Sequence, residues 1–157
     1  MFDTRLLGEP FDPAERLGHL AAATARAGGI ASFIGQVRAG DDEREPVEAL
    51  ELSHYAPLTL PGMIDLSETA RARFGLDGLL ILHRTGRLEP SEPIVCVAAA
   101  APHRRAAFEA VDFCMDHLKS AAWFWKRERR GGTWHWIEPR PQDHADLARW
   151  DRKTRAI

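Results

Sequence analysis

The spacing of hydrophobic and polar positions changes period several times along the chain, and each change predicts an element. In "FDPAERLGHLAAATARAGG" (11–29), Leu17, Leu20, Ala21 and Ala25 recur at three- and four-residue spacing, as on one face of a helix. Asp12 can cap that helix, Pro13 suits its first turn, and Gly28-Gly29 can end it. "IASFIGQV" (30–37) reads as a strand in which Gly35 marks a bulge or a close backbone approach. After the charged loop "AGDDEREP" (39–46), "VEALELSHY" (47–55) alternates Leu50 and Leu52 with Glu51 and Ser53, as a half-buried strand does. "APLTLPG" (56–62) then reads as a connector, followed by a helix from Met63 to Phe74 that Gly75 closes. "LLILHR" (79–84) and "IVCVAAAA" (94–101) are almost wholly apolar, which predicts two central strands joined by "TGRLEPSEP".

The strongest helical signal is "PHRRAAFEAVDFCMDHLK" (102–119). Phe108, Val111, Met115 and Leu118 fall within one narrow arc, with Glu109, Asp112 and Asp116 beside it and Lys119 at the seam. "WFWKRERRGGTWHWIE" (123–138) predicts a hairpin turning at Gly131-Gly132, which sets Lys126 opposite Ile137. "PRPQDHADLARW" (139–150) predicts a last short helix capped by Asp143. Strands and helices in irregular alternation, with a hairpin, indicate an α+β fold with mostly antiparallel pairing. No linker or repeat divides the sequence, so residues 1–157 are expected to form one domain.

Composition narrows the function classes. The chain has 157 residues, 45% hydrophobic and 28% charged, with a formal net charge of -2, which disfavours a general nucleic-acid binder. No apolar run approaches the roughly 20 residues of a membrane span. "MFDTRLLGEPFDPAERL" carries acids and prolines where a signal peptide needs a basic start and an apolar core, so a cytoplasmic protein is expected. The two cysteines, Cys96 and Cys114, lie among apolar neighbours and are expected to be buried thiols without a nucleophilic role. The seven histidines show no zinc spacing, and neither a metal nor a cofactor is expected.

The basic residues remain. Lys119 and Lys126 bracket a very aromatic run, "KSAAWFWK". A lysine ending a helix is favoured by the dipole by a few tenths of a kcal/mol, roughly, and needs no function. Packing by Trp123, Phe124 and Trp125 would instead strip water from Lys119 and favour a neutral amine able to act as base or nucleophile. "PHRR" places His103, Arg104 and Arg105 at a helix N-terminus, where the dipole disfavours cations and free N–H groups favour an anion. Either the arginines splay into water or an anion binds there, with Arg38 as a third cation if the fold brings it near. The basic-aromatic stretch 123–136 could also stack on single-stranded nucleic acid, but strand alternation gives many of its aromatics an inward face to fill.

Taken in order, "FIGQVR", "ALELSHY", "ILHRTGRLEPSEPIVCVAAAAPHRRAAFEAVDFCMDHLK", "FWKRE" and "HWIEPR" resemble the MoaE family, the large catalytic subunits of molybdopterin synthase. The resemblance runs from about Gly28 to Arg140. It implies an α+β fold with an α/β-hammerhead element and a sulfurtransferase of molybdenum cofactor biosynthesis. Such an enzyme converts cyclic pyranopterin monophosphate to molybdopterin. The sulfur comes from the C-terminal Gly-Gly thiocarboxylate of a small ubiquitin-like partner of the MoaD family. The resemblance further implies a homodimer of large subunits within a heterotetramer. It makes Lys119 and Lys126 catalytic, and Arg38, His103, Arg104 and Arg140 substrate-binding, with cations of one large subunit reaching the pocket of the other. The chain departs from the family pattern in an insertion near Ala56–Pro61, in Ala121 and Trp123, where arginine and proline are usual, and in loop 39–46. A homologue that docks the ubiquitin-like tail or a phosphate ligand without turnover is the alternative; retention of both lysines favours the enzyme.

Overall fold

The computed structural model describes residues 1–40, 43–121 and 123–153, with the side chains of 152 and 153 left out; 41, 42, 122 and 154–157 lie outside it. The elements run β1 (Phe2–Leu7), α1 (Pro13–Ala23), β2 (Gly29–Gln36), β3 (Val47–His54), α2 (Ala56–Phe74), β4 (Gly78–Arg84), β5 (Gly86–Leu88), β6 (Pro93–Ala101), α3 (Arg104–Ser120), β7 (Phe124–Arg130), β8 (Thr133–Ile137) and α4 (Pro141–Lys153). They build two four-stranded sheets, ordered β1-β4-β6-β2 and β5-β3-β7-β8. Only the β1–β4 pair is parallel, so the predicted α+β class with mostly antiparallel sheets is what the chain adopts.

The apolar runs 79–84 and 94–101 are indeed the central strands, covered on both faces. Ala99 and Ala101 of β6 face one core with Met63, Leu66 and Ala70 of α2 and Ala107, Ala110 and Cys114 of α3. Ala98 and Ala100 face the other, with Leu20 of α1 and Leu80. Small side chains on both faces of one strand let helices approach the sheet from either side. A third cluster, Val37, Val47, Leu50, Leu52 and Leu88 with Ile137 against it, fills the space under the second sheet.

Several expectations need correction. Helix α1 is capped by Asp12, whose carboxylate accepts from the Ala14 N–H at 2.9 Å, but it stops at Ala23, well before Gly28. The segment "APLTLPG" is helical: α2 starts at Ala56 and carries Pro61 inside. Pro57 sits in the first turn, where no N–H partner is needed, and Pro61 removes only one bond near the helix start. Strands β1 and β5 were not predicted. β1, FDTRLL, has no regular apolar alternation and is held by its parallel register with β4, with Leu6 against the core; β5 has three residues, of which only Leu88 is buried. On α3, Val111 and Leu118 are buried as expected, while Phe108 is 60% exposed; the buried stripe runs through Ala107, Ala110, Cys114 and Phe113. Asp143 is not the cap of α4 but stands within its first turn and reaches back to the N–H of Arg140 at 2.9 Å. The bulge expected at Gly35 is present as a register shift between Gly35 and Gln36.

Candidate active site

The hairpin register decides the site. Gly131 and Gly132 have φ of 54° and 75°, the left-handed pair that a two-residue turn requires. This turn pairs Lys126 with Ile137 on one side, and β3 pairs it with Leu52 on the other. Leu52 and Ile137 both belong to the cluster under the sheet, so Lys126 shares the inward face and is half-buried. The residues alternating with it point outward. Trp125 and Trp136 are 50% and 68% exposed, and the Arg127 guanidinium lies 4.5 Å from the Trp134 ring while Nη2 pairs with Glu51 at 2.8 Å. The expectation that many of the hairpin aromatics fill an inward face is therefore corrected: a period of two that turns Lys126 in turns its aromatic neighbours out.

Phe124 is the exception. Its ring stacks on His83 at 3.9 Å, on the side of β4 that faces α3. His83 is buried, and its ring meets the Arg84 carbonyl at 2.8 Å through Nδ1, so the proton sits on Nδ1 and Nε2 is left as an acceptor. Burial pushes the His83 pKa down to about 4; the Arg84 contact opposes this and the charge of Lys126 adds to it. A neutral imidazole therefore lies close to the Lys126 amine.

Lys119 is in the last turn of α3, and its side chain is exposed rather than packed under the tryptophans. The amine deprived of water is that of Lys126. Burial first, then the charge of Lys119, holds it below the usual lysine range, with Arg140 adding to the effect and Asp143 opposing it. Trp123, placed between the lysines, packs instead on α2: the Thr59 hydroxyl donates to its carbonyl at 2.7 Å, and its indole lies against Gly62. Arg140 stands just before α4, where its Nη2 meets Asp143 Oδ1 at 3.0 Å. Lys119, Lys126 and Arg140 thus come together from the end of α3, from β7 and from the segment before α4.

The remaining cations do not join them within one chain. His103 is the N-cap of α3 and makes no side-chain capping bond, and Arg104 follows it, exposed. Arg104 lies beside Gly29, the first residue of β2. Arg38 follows the far end of the same strand, next to Val37 in the cluster that also touches Ile137. Nine residues of extended chain separate Arg104's end from Arg38's, about 30 Å. Arg38 is therefore on the lysine side and His103 and Arg104 are remote from it in a single copy.

Both thiols are unsuited to chemistry: burial raises Cys96 to about 11 and Cys114 to about 12. Among the described residues no group of three His, Cys, Asp or Glu side chains could hold a metal ion, and no helix is long and apolar enough to cross a membrane. The sequence reading missed His83 and Asp143 as members of the site. One signal was in plain view: the chain has only three lysines, Lys119, Lys126 and Lys153, among 21 basic residues, so two of three lysines in one short run is a departure from its own usage.

Residues 6–121 match the family model described as MoaE protein. The molybdopterin synthase catalytic subunit of Caulobacter vibrioides is 42% identical over 149 residues, 95% of this chain and 97% of that protein. The solved structure of the molybdopterin biosynthesis MoaE protein from Burkholderia ambifaria superposes with a TM-score of 0.79 at 36% identity, over 96% of this chain and 99% of that one. A protein–protein complex of subunits 1 and 2 of the molybdopterin-converting factor from Helicobacter pylori contains the same fold, with a TM-score of 0.71 at 19% identity over 88% of this chain and 91% of that one.

Proposed function

From the premise that this chain belongs to the MoaE family, the catalytic subunits of molybdopterin synthase, we propose that it transfers sulfur to cyclic pyranopterin monophosphate from the C-terminal thiocarboxylate of a small ubiquitin-like partner. The observation that carries this is the convergence of Lys119, Lys126 and Arg140, with the Lys126 amine half-buried against Leu52 and Ile137. Sulfur must come from outside the chain, because both of its thiols are buried and kept protonated. A cation beside a thiocarboxylate fixes its orientation and stabilises the negative charge on the departing carboxylate. Lys119, exposed and at the helix end, is placed to meet the incoming tail. Lys126, whose pKa burial and the charge of Lys119 hold below the usual lysine range, can accept or return a proton beside it.

The substrate phosphate requires further cations, and a second copy supplies them. β2 is an edge strand, with Ile30, Phe33 and Ile34 each about two-fifths exposed. Two copies paired antiparallel along β2, about a two-fold axis, set the Arg104 end of one beside the Arg38 end of the other. Such pairing closes an edge that is otherwise open to aggregation and completes two identical sites at once. Each site then holds Arg38, Lys119, Lys126 and Arg140 of one copy with His103 and Arg104 of the other.

The test is molybdopterin formed per site with excess thiocarboxylated partner. Lys119→Ala is expected to abolish product while leaving the fold and partner binding intact. Lys126→Ala is expected to slow the reaction at least about a hundredfold but leave measurable turnover. Lys126→Arg is not expected to restore the rate, since a guanidinium keeps its proton. Near-normal turnover by Lys119→Ala would make that lysine a helix-end cation and leave a protein that docks tails or phosphates without turnover.

A further inference from the structure

Asp143 is a carboxylate 8% exposed at the start of an otherwise polar helix, in a position a simple capping residue would also occupy. Its contacts exceed capping. Oδ2 accepts from the Arg140 backbone N–H at 2.9 Å and lies 3.5 Å from Nε, while Oδ1 accepts from Nη2 at 3.0 Å, a fork held from two sides. The Ser120 hydroxyl donates to the Asp143 carbonyl at 2.9 Å, which ties the first turn of α4 to the residue after Lys119. α4 is itself anchored on α3: Arg149 pairs with Asp112 at 2.8 Å and Asp116 at 2.6 Å, and Trp150 Nε1 donates to Asp116 at 2.6 Å. The carboxylate is therefore fixed relative to the end of α3, not only to its own helix.

The surrounding charges make that placement consequential. Lys119 stands at the end of α3, Lys126 on β7, Arg140 before α4, Asp146 one turn on, and the neutral His83 of β4 is near enough to feel the charge of Lys126. Burial, Lys119 and Arg140 all push the Lys126 amine toward its neutral form; Asp143 pushes it back. The Asp143 carboxyl is held below the usual carboxylate range, chiefly by the hydrogen bond from Arg140, with Lys119 contributing.

We infer that Asp143 is a positioning residue for the sulfur-transfer reaction: the counter-charge that holds Arg140 in place beside the lysines. It touches neither substrate nor tail and acts through Arg140, Lys119 and Lys126. The inference rests on the reading of those lysines as the working amines.

Asp143→Asn separates this role from capping, because the amide oxygen still accepts from the Arg140 N–H while the charge is gone. Two readouts are taken on the full chain with its thiocarboxylated partner: molybdopterin per site, and titration of the lysine Nζ signals by heteronuclear NMR, which three lysines keep resolvable. The expected result is a turnover loss of about tenfold or more with a native melting curve, and Lys126 titrating about half a pH unit or more lower. Asp143→Glu, which restores the charge, is expected to return the Lys126 titration and part of the turnover. Wild-type turnover and an unmoved Lys126 titration in Asp143→Asn overturn the inference. So does a loss of turnover that only tracks a loss of fold, with the titration unmoved. If Lys119→Ala and Lys126→Ala themselves turn over normally, the reading of the lysines fails; if they are inactive while Asp143→Asn is silent, only the role of Asp143 fails.

Discussion

A neutral histidine packed face to face with Phe124 has a cost that appears only in acid. The buried His83 carries a pKa near 4 against about 6.5 for an exposed histidine, with burial as the main cause. Between those values the unfolded chain binds a proton that the folded chain refuses, so stability rises with pH across that window. The contribution is intact above pH 6.5, is lost as pH falls, and amounts to about 3 kcal/mol once pH is below 4. Urea unfolding of the wild type is expected to show this loss between pH 7 and pH 4. His83→Leu, similar in volume and unable to titrate, should flatten that limb. An equally steep acid limb in His83→Leu would place the titrating group elsewhere.

At the scale of the element, the first turns of α2 and the segment between the lysines are one unit. Gly62 lies inside α2, where glycine weakens a helix by about 1 kcal/mol relative to alanine. Its place is explained by the neighbour: a Cβ there would come within 2.6 Å of the Trp123 indole. Gly62→Ala must therefore displace Trp123, an overpacking cost of about 1–3 kcal/mol that outweighs the propensity gain. Because residues 120–125 join the two lysines, the displacement is expected to lower molybdopterin formation several-fold as well as the melting temperature. Thr59→Val, which removes the donor to the Trp123 carbonyl, should act in the same direction and more weakly. A stabilised, fully active Gly62→Ala would show that Trp123 has room to move and does not hold the lysines. The Trp123 indole and the early part of α2 thus belong together, since Gly62 is what the indole packs against.

For the whole molecule, the separation of Arg38 from Arg104 along β2 makes the assembly testable by mixing. Arg104→Ala alone is expected to weaken substrate binding in a calorimetric titration while partner binding stays intact. If each site draws on two copies, Arg38→Ala and Arg104→Ala are each inactive as pure dimers. Mixed, half of the dimers are heterodimers with one intact site of two, so about a quarter of wild-type turnover returns. No recovery after verified subunit exchange would confine each site to one chain. Independently, Ile34→Lys puts a charge on the exposed edge and is expected to give a folded, inactive monomer by light scattering at micromolar concentration.

Much of this was legible before any coordinates. The central strands are near-continuous apolar runs, α3 has a clear helical period, and Gly131-Gly132 specifies a two-residue turn whose register places Lys126 opposite Ile137. These signals are local: period, capping and turn chemistry act within a few residues, so the sequence carries them without help from the rest of the fold. The family was likewise legible, because its motifs are runs of consecutive residues. What was not legible depends on partners distant in sequence. β1 has no regular alternation and exists because β4 offers it a ladder; the start of α2 is tied through Thr59 to Trp123; Phe108 obeys the helical period yet meets no core. The same holds at the site. Aromatic neighbours suggested that Lys119 was the dry amine, but neighbours in sequence on a strand point to opposite faces, and the fold buries Lys126 instead. Asp143 read as a helix cap from its position alone; only the packing of α4 on α3, through Arg149 and Trp150, puts its charge beside two lysines. Sequence determined which groups are present and how each element is wound, and tertiary structure decided which of them share one dielectric and one another's charge, because burial and Coulomb interaction depend on distance in space and not on distance along the chain.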